Sequence, residues 1–404
     1  MRWWSAASLT ISLLASCIGA SVAAQPTQSL SSSSSQFRDD ALAFAELVNR
    51  EYAYLDRLSG GRFELTPALA REAADVTDRR TLLKFLERAL LLLGDHHAIT
   101  GSSLPDSWAV VPSYSDMWIE KTPRGYLVAA MRAGTPAQAR GVVRGSYVTA
   151  VAGVATDTAV ARFAGSLGIT RTAERDAFLA RILIAGRRDR PRHLTLRLAE
   201  GERLDLNLPS LYQQAGPAAP PVTLQLHGGS ATISINDALG DTATIVAFDQ
   251  AMRAVPRDLP LNIDLINTPS GGNTTVARAI MSWFADRATP YQRHDLPSEE
   301  RQTGIARAWL ELVLPRASGR HGGPVSVRVG RWTGSMGEGL AIGLQALGAR
   351  LCGDKMAGLL GAVADFEVGR SGLTVKLPFE RLSTVDGTPR EAVEPAPCEM
   401  SLAI

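Results

Sequence analysis

The spacing of apolar residues changes twice along this chain, and that change constrains the fold more than any other feature. From Phe37 to Leu93 the spacing is helical, with Leu82, Phe85, Leu86, Ala89, Leu90 and Leu93 on one face. From about Val111 to Pro209 short strand-like runs take over, such as Tyr126–Met131, Tyr147–Val151, His193–Leu198 and Leu204–Leu208. Beyond Pro221 strands and helices alternate, which implies a sheet covered by helices. The expected fold class is therefore α/β in the broad α+β, multidomain sense. A helical region would span 37–105, a β-rich domain 111–210, a linker 211–221 and a mixed sheet with helices 222–404. A length of 404 residues accommodates that division.

Local punctuation agrees with these boundaries. Thr66-Pro67 reads as an N-cap followed by proline at the first helical position, and Gly94 as a C-cap glycine. Arg171–Gly186 reads as a helix inside the β-rich region. Ala215–Pro221 is rich in Ala and Pro, as a linker would be. Gly228-Gly229 lies between two short apolar runs and predicts a hairpin.

The first 24 residues read as an address. Arg2 is followed by an uncharged stretch reaching Arg38, apolar from Trp3 to Ala24, and Val22-Ala23-Ala24 fits the small-residue rule for signal-peptide cleavage. A second reading takes Leu14-Ala15-Ser16-Cys17 as a lipoprotein box, with Cys17 lipidated. Residues 25–36, with serines from Ser31 to Ser35, would be a flexible tether. The expected location is periplasmic or secreted, with membrane attachment only through Cys17. After cleavage Cys352 and Cys398 remain, and either a disulfide or two buried thiols fits them. Lys+Arg 42 against Asp+Glu 40 gives no electrostatic case for nucleic-acid binding. The histidines and cysteines form no zinc pattern, so no metal or cofactor is expected.

Three segments carry chemistry. Val325–Val329 reads as a strand, and Thr333-Gly334-Ser335-Met336-Gly337-Glu338 then leads into a helix carrying Leu340, Leu344 and Leu347. This puts the Ser335 hydroxyl at a sharp turn and the Met336 N–H at a helix N-terminus, where a developing oxyanion is stabilised. The alternative is a serine that only caps the helix. The run Asn267–Asn273 contains Gly271-Gly272 directly after a core strand, and either glycine could supply a second oxyanion N–H. Gly94-Asp95-His96-His97 closes the last N-terminal helix, and a single base there makes better chemical sense than a metal site, because adjacent histidines do not share a helix face.

The β-rich region resembles a PDZ domain in Gly134-Thr135-Pro136-Ala137, Gly141-Val142 and Val148 through Ala152-Gly153. The whole order resembles the C-terminal processing peptidases, also called tail-specific proteases, and their tricorn-core relatives. Gly94-Asp95-His96-His97 comes first, the PDZ-like region next, then Asp264 through Gly271-Gly272, Thr333–Glu338, Leu351–Gly358, and finally Asp386-Gly387, Glu391 and Val393-Glu394-Pro395. The resemblance implies a ClpP/crotonase-like core and a serine peptidase acting on unfolded or C-terminally presented polypeptides. It implies no nucleic-acid partner and leaves oligomeric state open. One branch of that family pairs serine with lysine, but Leu359 stands where that lysine would be, and Lys355 is the nearby alternative base. The other branch implies Ser335 as nucleophile, His97 as general base and Glu391 as the group that orients or stabilises the imidazolium, directly or through His96. Met336 with Gly271 or Gly272 would form the oxyanion hole. Two rivals remain at this stage. One is an inactive peptide-binding protein on the same scaffold, suggested by Ile266, Ser146, Ala152 and Leu359 at motif positions. The other is an esterase-type acyl hydrolase using the same Ser–His chemistry.

Overall fold

The N-terminal helices are built as their spacing dictates. The computed structural model describes residues 34–214, 220–236, 239–269, 271–317 and 319–398; the leader, Cys17, Ala24 and residues 215–219 of the linker lie outside them. Helix α1 (Ser34–Glu51) starts inside the serine run, so Ser34 to Gln36 are helical where a tether was expected. Helix α2 (Pro67–Ala74) has the Thr66 cap, whose hydroxyl accepts the Leu69 N–H at 3.3 Å. Helix α3 (Arg79–Leu90) is capped by Asp78 and runs through a 3₁₀ turn to Gly94, whose φ of 64° ends it as a left-handed cap. A two-residue strand, β1 (Ile99–Thr100), follows.

The middle region is an antiparallel sheet. It contains β2 (Met117–Thr122), β3 (Gly125–Met131), the short helix α4 (Pro136–Ala139), β4 (Tyr147–Val151), β5 (Val154–Ala155), helices α5 (Thr156–Leu167) and α6 (Ala173–Ala185), then β6 (Arg192–Arg197) and β7 (Arg203–Leu208). The order is β2-β3-β4-β6-β7, which leaves β2 at an edge beside α6. Arg192 and Asp116, both buried, form a two-pronged ion pair at 2.8 and 2.9 Å beneath it. The helical region and this sheet share one apolar core, in which Phe44 and Leu86 join Ile119 and Phe178.

The third region opens with the expected hairpin, β8 (Val222–His227) and β9 (Ser230–Ile235), then α7 (Ala243–Ala254), β10 (Leu261–Asp264) and α8 (Thr274–Met281). After β11 (Thr289–Asp295), α9 (Pro297–Thr303) and β12 (Ala308–Val313) come β13 (Val325–Val329), α10 (Met336–Ala346), β14 (Arg350–Gly353), β15 (Ala362–Val368) and β16 (Leu373–Ser383). The main sheet has the order β14-β13-β10-β9-β8, parallel except for the hairpin. Its core gathers Phe248, Ile263, Val327 and Leu340. A second, antiparallel sheet, β1-β16-β11-β12 with β15 on β16, was not anticipated from the sequence. Its strands carry Pro290 and Pro378 and many outward charges, which hide the alternation. Cys352 and Cys398 are joined in a disulfide, with Cα atoms 4.9 Å apart. Among the described residues no helix is long and apolar enough to cross a membrane.

Candidate active site

The site is assembled where β13 and β10 end side by side. Beyond β13 the Thr333 hydroxyl donates to the Leu265 carbonyl at 2.7 Å, and the Gly334 N–H donates to the Thr268 carbonyl at 3.0 Å. These bonds lay residues 265–269 against the turn before α10. Gly334 is required there, because a Cβ on it would lie 2.3 Å from the Pro269 carbonyl oxygen. Ser335 then adopts φ 53°, ψ −117°, outside the regions that ordinary residues prefer, and heads α10.

Two of the expected oxyanion donors, Gly272 and Met336, come together at the start of α10. Gly272 sits so close to the helix start that a Cβ on it would fall 2.7 Å from Met336 Cβ and 2.8 Å from Leu239 Cβ. Among the described residues the N–H groups of Gly271, Gly272 and Met336 meet no acceptor. Uncommitted N–H donors beside a helix N-terminus and a serine are the kind of group that stabilises developing negative charge.

Glu338 lies in the first turn of α10 and is fully buried. Its carboxylate accepts from the N–H groups of Ser335 at 2.9 Å, Gly358 at 2.9 Å and Leu359 at 3.1 Å. Burial pushes its carboxyl up to about 7, opposed by the charge of Arg390 and by those N–H groups. Arg390 is also buried, and its Nη2 donates to the carbonyls of Leu359 at 2.8 Å and Gly361 at 3.0 Å. The segment Gly358–Gly361 is thus held by a carboxylate on one side and a guanidinium on the other.

His97 reaches the same segment from the opposite end of the chain. Its Nδ1 lies 2.6 Å from the Leu360 carbonyl oxygen. A carbonyl only accepts, so Nδ1 carries the proton and Nε2 keeps its lone pair. Its main-chain N–H donates to Asp95 at 2.8 Å, and Tyr52 donates to the same carboxylate at 2.9 Å. Burial, with Arg390 adding to it, pushes the imidazole down to about 4 against the Leu360 hydrogen bond, so the ring is neutral near pH 7. His97 and Ser335 are therefore tied to one short segment, His97 directly and Ser335 through Glu338. No hydrogen bond joins His97 Nε2 to Ser335 Oγ.

The other sequence-derived candidates make no hydrogen bond to His97 or Ser335. His96 does not bridge to a carboxylate: its Nδ1 meets the Val110 carbonyl at 2.7 Å and its Nε2 accepts from Arg181 at 2.8 Å, which uses both nitrogens. Glu391 makes no hydrogen bond to the imidazole. Its buried Oε2 is without a partner, near Tyr54 and Asp95, and it lines a cleft of about 410 Å³ with Tyr54 and Arg381. Lys355 is turned to the surface, where it pairs with Glu394 at 2.8 Å. Sequence reasoning missed the roles of Glu338 and Arg390. Apart from the Ser335 N–H their partners lie 20 or more positions away, and the one local signal was an acidic residue three places after the serine. Among the described residues no group of three or more His, Cys, Asp or Glu side chains is arranged to hold a metal ion.

No protein-family model and no curated protein matches the sequence. Solved structures do match. The photosystem II D1 C-terminal processing protease aligns over 89% of this chain and 92% of its own, with a TM-score of 0.54 and 16% identity. Mature CPAF aligns over 89% and 92%, with a TM-score of 0.54 and 15% identity. Mature CPAF complexed with lactacystin aligns over 90% and 93%, with a TM-score of 0.55 and 14% identity. The chain therefore has the C-terminal processing protease fold, as the order of its motifs implied.

Proposed function

We propose that the protein is a serine endopeptidase in which Ser335 attacks the peptide carbonyl and His97 takes its proton. A serine hydroxyl is a poor nucleophile until a neighbouring base accepts that proton. His97 is suited to this, being neutral near pH 7 and keeping an unprotonated Nε2. The tetrahedral oxyanion would be received by the N–H groups of Met336 and of Gly271 or Gly272, and the imidazolium would then protonate the leaving amine. The observation that carries this reading is a serine at φ 53° beside uncommitted N–H donors, with a neutral imidazole hydrogen-bonded to the segment that shares Glu338 with that serine.

Substrates would be unfolded or C-terminally presented polypeptides. The middle sheet would act as a PDZ-like module that takes a peptide on the edge of β2. That edge now has its Ile119 carbonyl occupied by Arg181 at 3.0 Å, so an added strand must displace that guanidinium. The Cys352–Cys398 bond supports a location in an oxidising compartment, periplasmic or secreted, to which residues 1–24 would direct the chain.

One observation favours a second reading, an inactive peptide-binding protein: Ser335 and His97 share no hydrogen bond. Catalytic hydrogen bonds are often long before substrate binds, so the active reading is preferred. The test is cleavage of an unfolded protein together with labelling by a serine-directed fluorophosphonate. Wild type is expected to do both and Ser335→Ala neither. Undiminished cleavage by Ser335→Ala would refute the assignment, and labelling with ester but not peptide hydrolysis would make the protein an esterase.

A further inference from the structure

We propose that the segment Gly358–Gly361, gripped by Glu338 and Arg390, is the positioning element that orients His97 toward Ser335, a task that a carboxylate performs in a Ser–His–acid triad. This rests on the reading of Ser335 as nucleophile and His97 as base. Glu338 and Arg390 are positioning residues in it, since neither would touch the substrate.

In a triad the third group fixes the tautomer and tilt of the imidazole by accepting its Nδ1–H. Here that acceptor is the Leu360 carbonyl at 2.6 Å, and no carboxylate bonds the ring. A main-chain carbonyl is only as well placed as its segment. This segment is bonded on both edges: its N–H groups at Gly358 and Leu359 go to Glu338, and its carbonyls at Leu359 and Gly361 go to Arg390. Leu359 is itself buried in a cluster with Trp118, Trp332 and Ala357, which adds a side-chain anchor to the main-chain bonds. Glu338 also accepts the N–H of Ser335 itself. One carboxylate thereby sets the nucleophile's backbone and the base's acceptor in a common frame, although they lie far apart in sequence.

The grip depends on ionisation. An ionised carboxylate accepts at both oxygens, whereas a protonated one presents an O–H toward one of the three N–H groups and loses that bond. Burial places this change near pH 7. The charged group facing Glu338 is Arg390, from the turn after β16; the segment contributes only N–H groups, and His97 lies beyond it. Activity should therefore rise with pH through about 7 because Glu338 ionises, while His97 itself titrates only near 4.

The experiment is the pH dependence of fluorophosphonate labelling, and of kcat and KM on a peptide, in the full chain. Wild type is expected to rise through about pH 7. Glu338→Gln mimics the protonated state, so it should be roughly 10- to 100-fold slower above about pH 8 and flat down to about pH 5.5, with kcat lowered and KM little changed. The two curves should meet at low pH. Arg390→Gln should move the rise to higher pH, because the cation that favours the Glu338 carboxylate is gone; Arg390→Lys should lower the plateau and leave the rise in place. If Glu338→Gln does not fold, the Arg390→Gln shift still decides. A wild-type rate that falls only near pH 4, a Glu338→Gln variant that keeps the rise near 7, or a Glu391→Gln variant that reproduces the whole loss would each overturn the proposal. Labelling that persists in Ser335→Ala would instead remove the serine reading beneath it.

Discussion

His97 and His294 are both enclosed imidazoles, and the protein treats them in opposite ways. His97 donates Nδ1–H to a carbonyl, and burial with Arg390 nearby pushes it down to about 4. His294, on β11, has Glu380 at 2.8 Å from Nδ1 and Glu311 at 3.2 Å from Nε2, and stacks on Trp309 with ring centres 4.9 Å apart. Burial alone would lower it too, but the two carboxylates outweigh burial and push it up to about 9. At neutral pH His294 is therefore an imidazolium with both N–H groups committed. It can join β11 to β12 and β16, and it cannot accept a proton. His97 is neutral and keeps the lone pair that a general base needs. A histidine's function is set by whether its neighbours accept as carbonyls or as carboxylates.

Substitution at the two sites should separate activity from stability. His97→Gln should lower kcat by on the order of 10⁴-fold with the melting temperature unchanged, read by peptide cleavage and a thermal melt. A large loss of stability with little loss of rate would dissolve the contrast. His294→Leu should do the reverse. It leaves Glu311 and Glu380 without their shared cation, at a cost of about 3 kcal/mol, less than for a fully sealed pair, and activity per folded molecule should stay within about twofold. Gly272→Ala drives a methyl into Met336 and Leu239, and should lower kcat by roughly 10²-fold with KM steady, as displacement of an oxyanion donor requires. The smallest effect is the pH dependence of stability. His294 is raised above its unfolded value, so its contribution is complete below about 6.5 and lost as pH climbs through about 9. Melts across that range should decline in wild type, and less steeply in His294→Leu.

Much of this fold was legible because the signals are local. Thr66-Pro67, Gly94 and the strand–turn–helix around Ser335 are set by residues within a few positions of each other, and each lies where the sequence reading put it. The His97 ring meets a carbonyl 263 positions away, and main-chain acceptors leave no mark in a sequence. Arg390 was passed over beside the more suggestive Glu391 for the same reason, since its partners are two carbonyls. The β11–β12–β16 sheet was missed because outward charges and two prolines interrupt its alternation.

The most direct measurement is the rate at which a fluorophosphonate adduct forms near pH 8, followed by intact mass and mapped by peptide sequencing. The adduct should sit on Ser335, be absent from Ser335→Ala and form roughly 10³- to 10⁴-fold more slowly in His97→Gln. An adduct on another residue, or one formed at the wild-type rate without His97, would contradict the pairing of these two side chains.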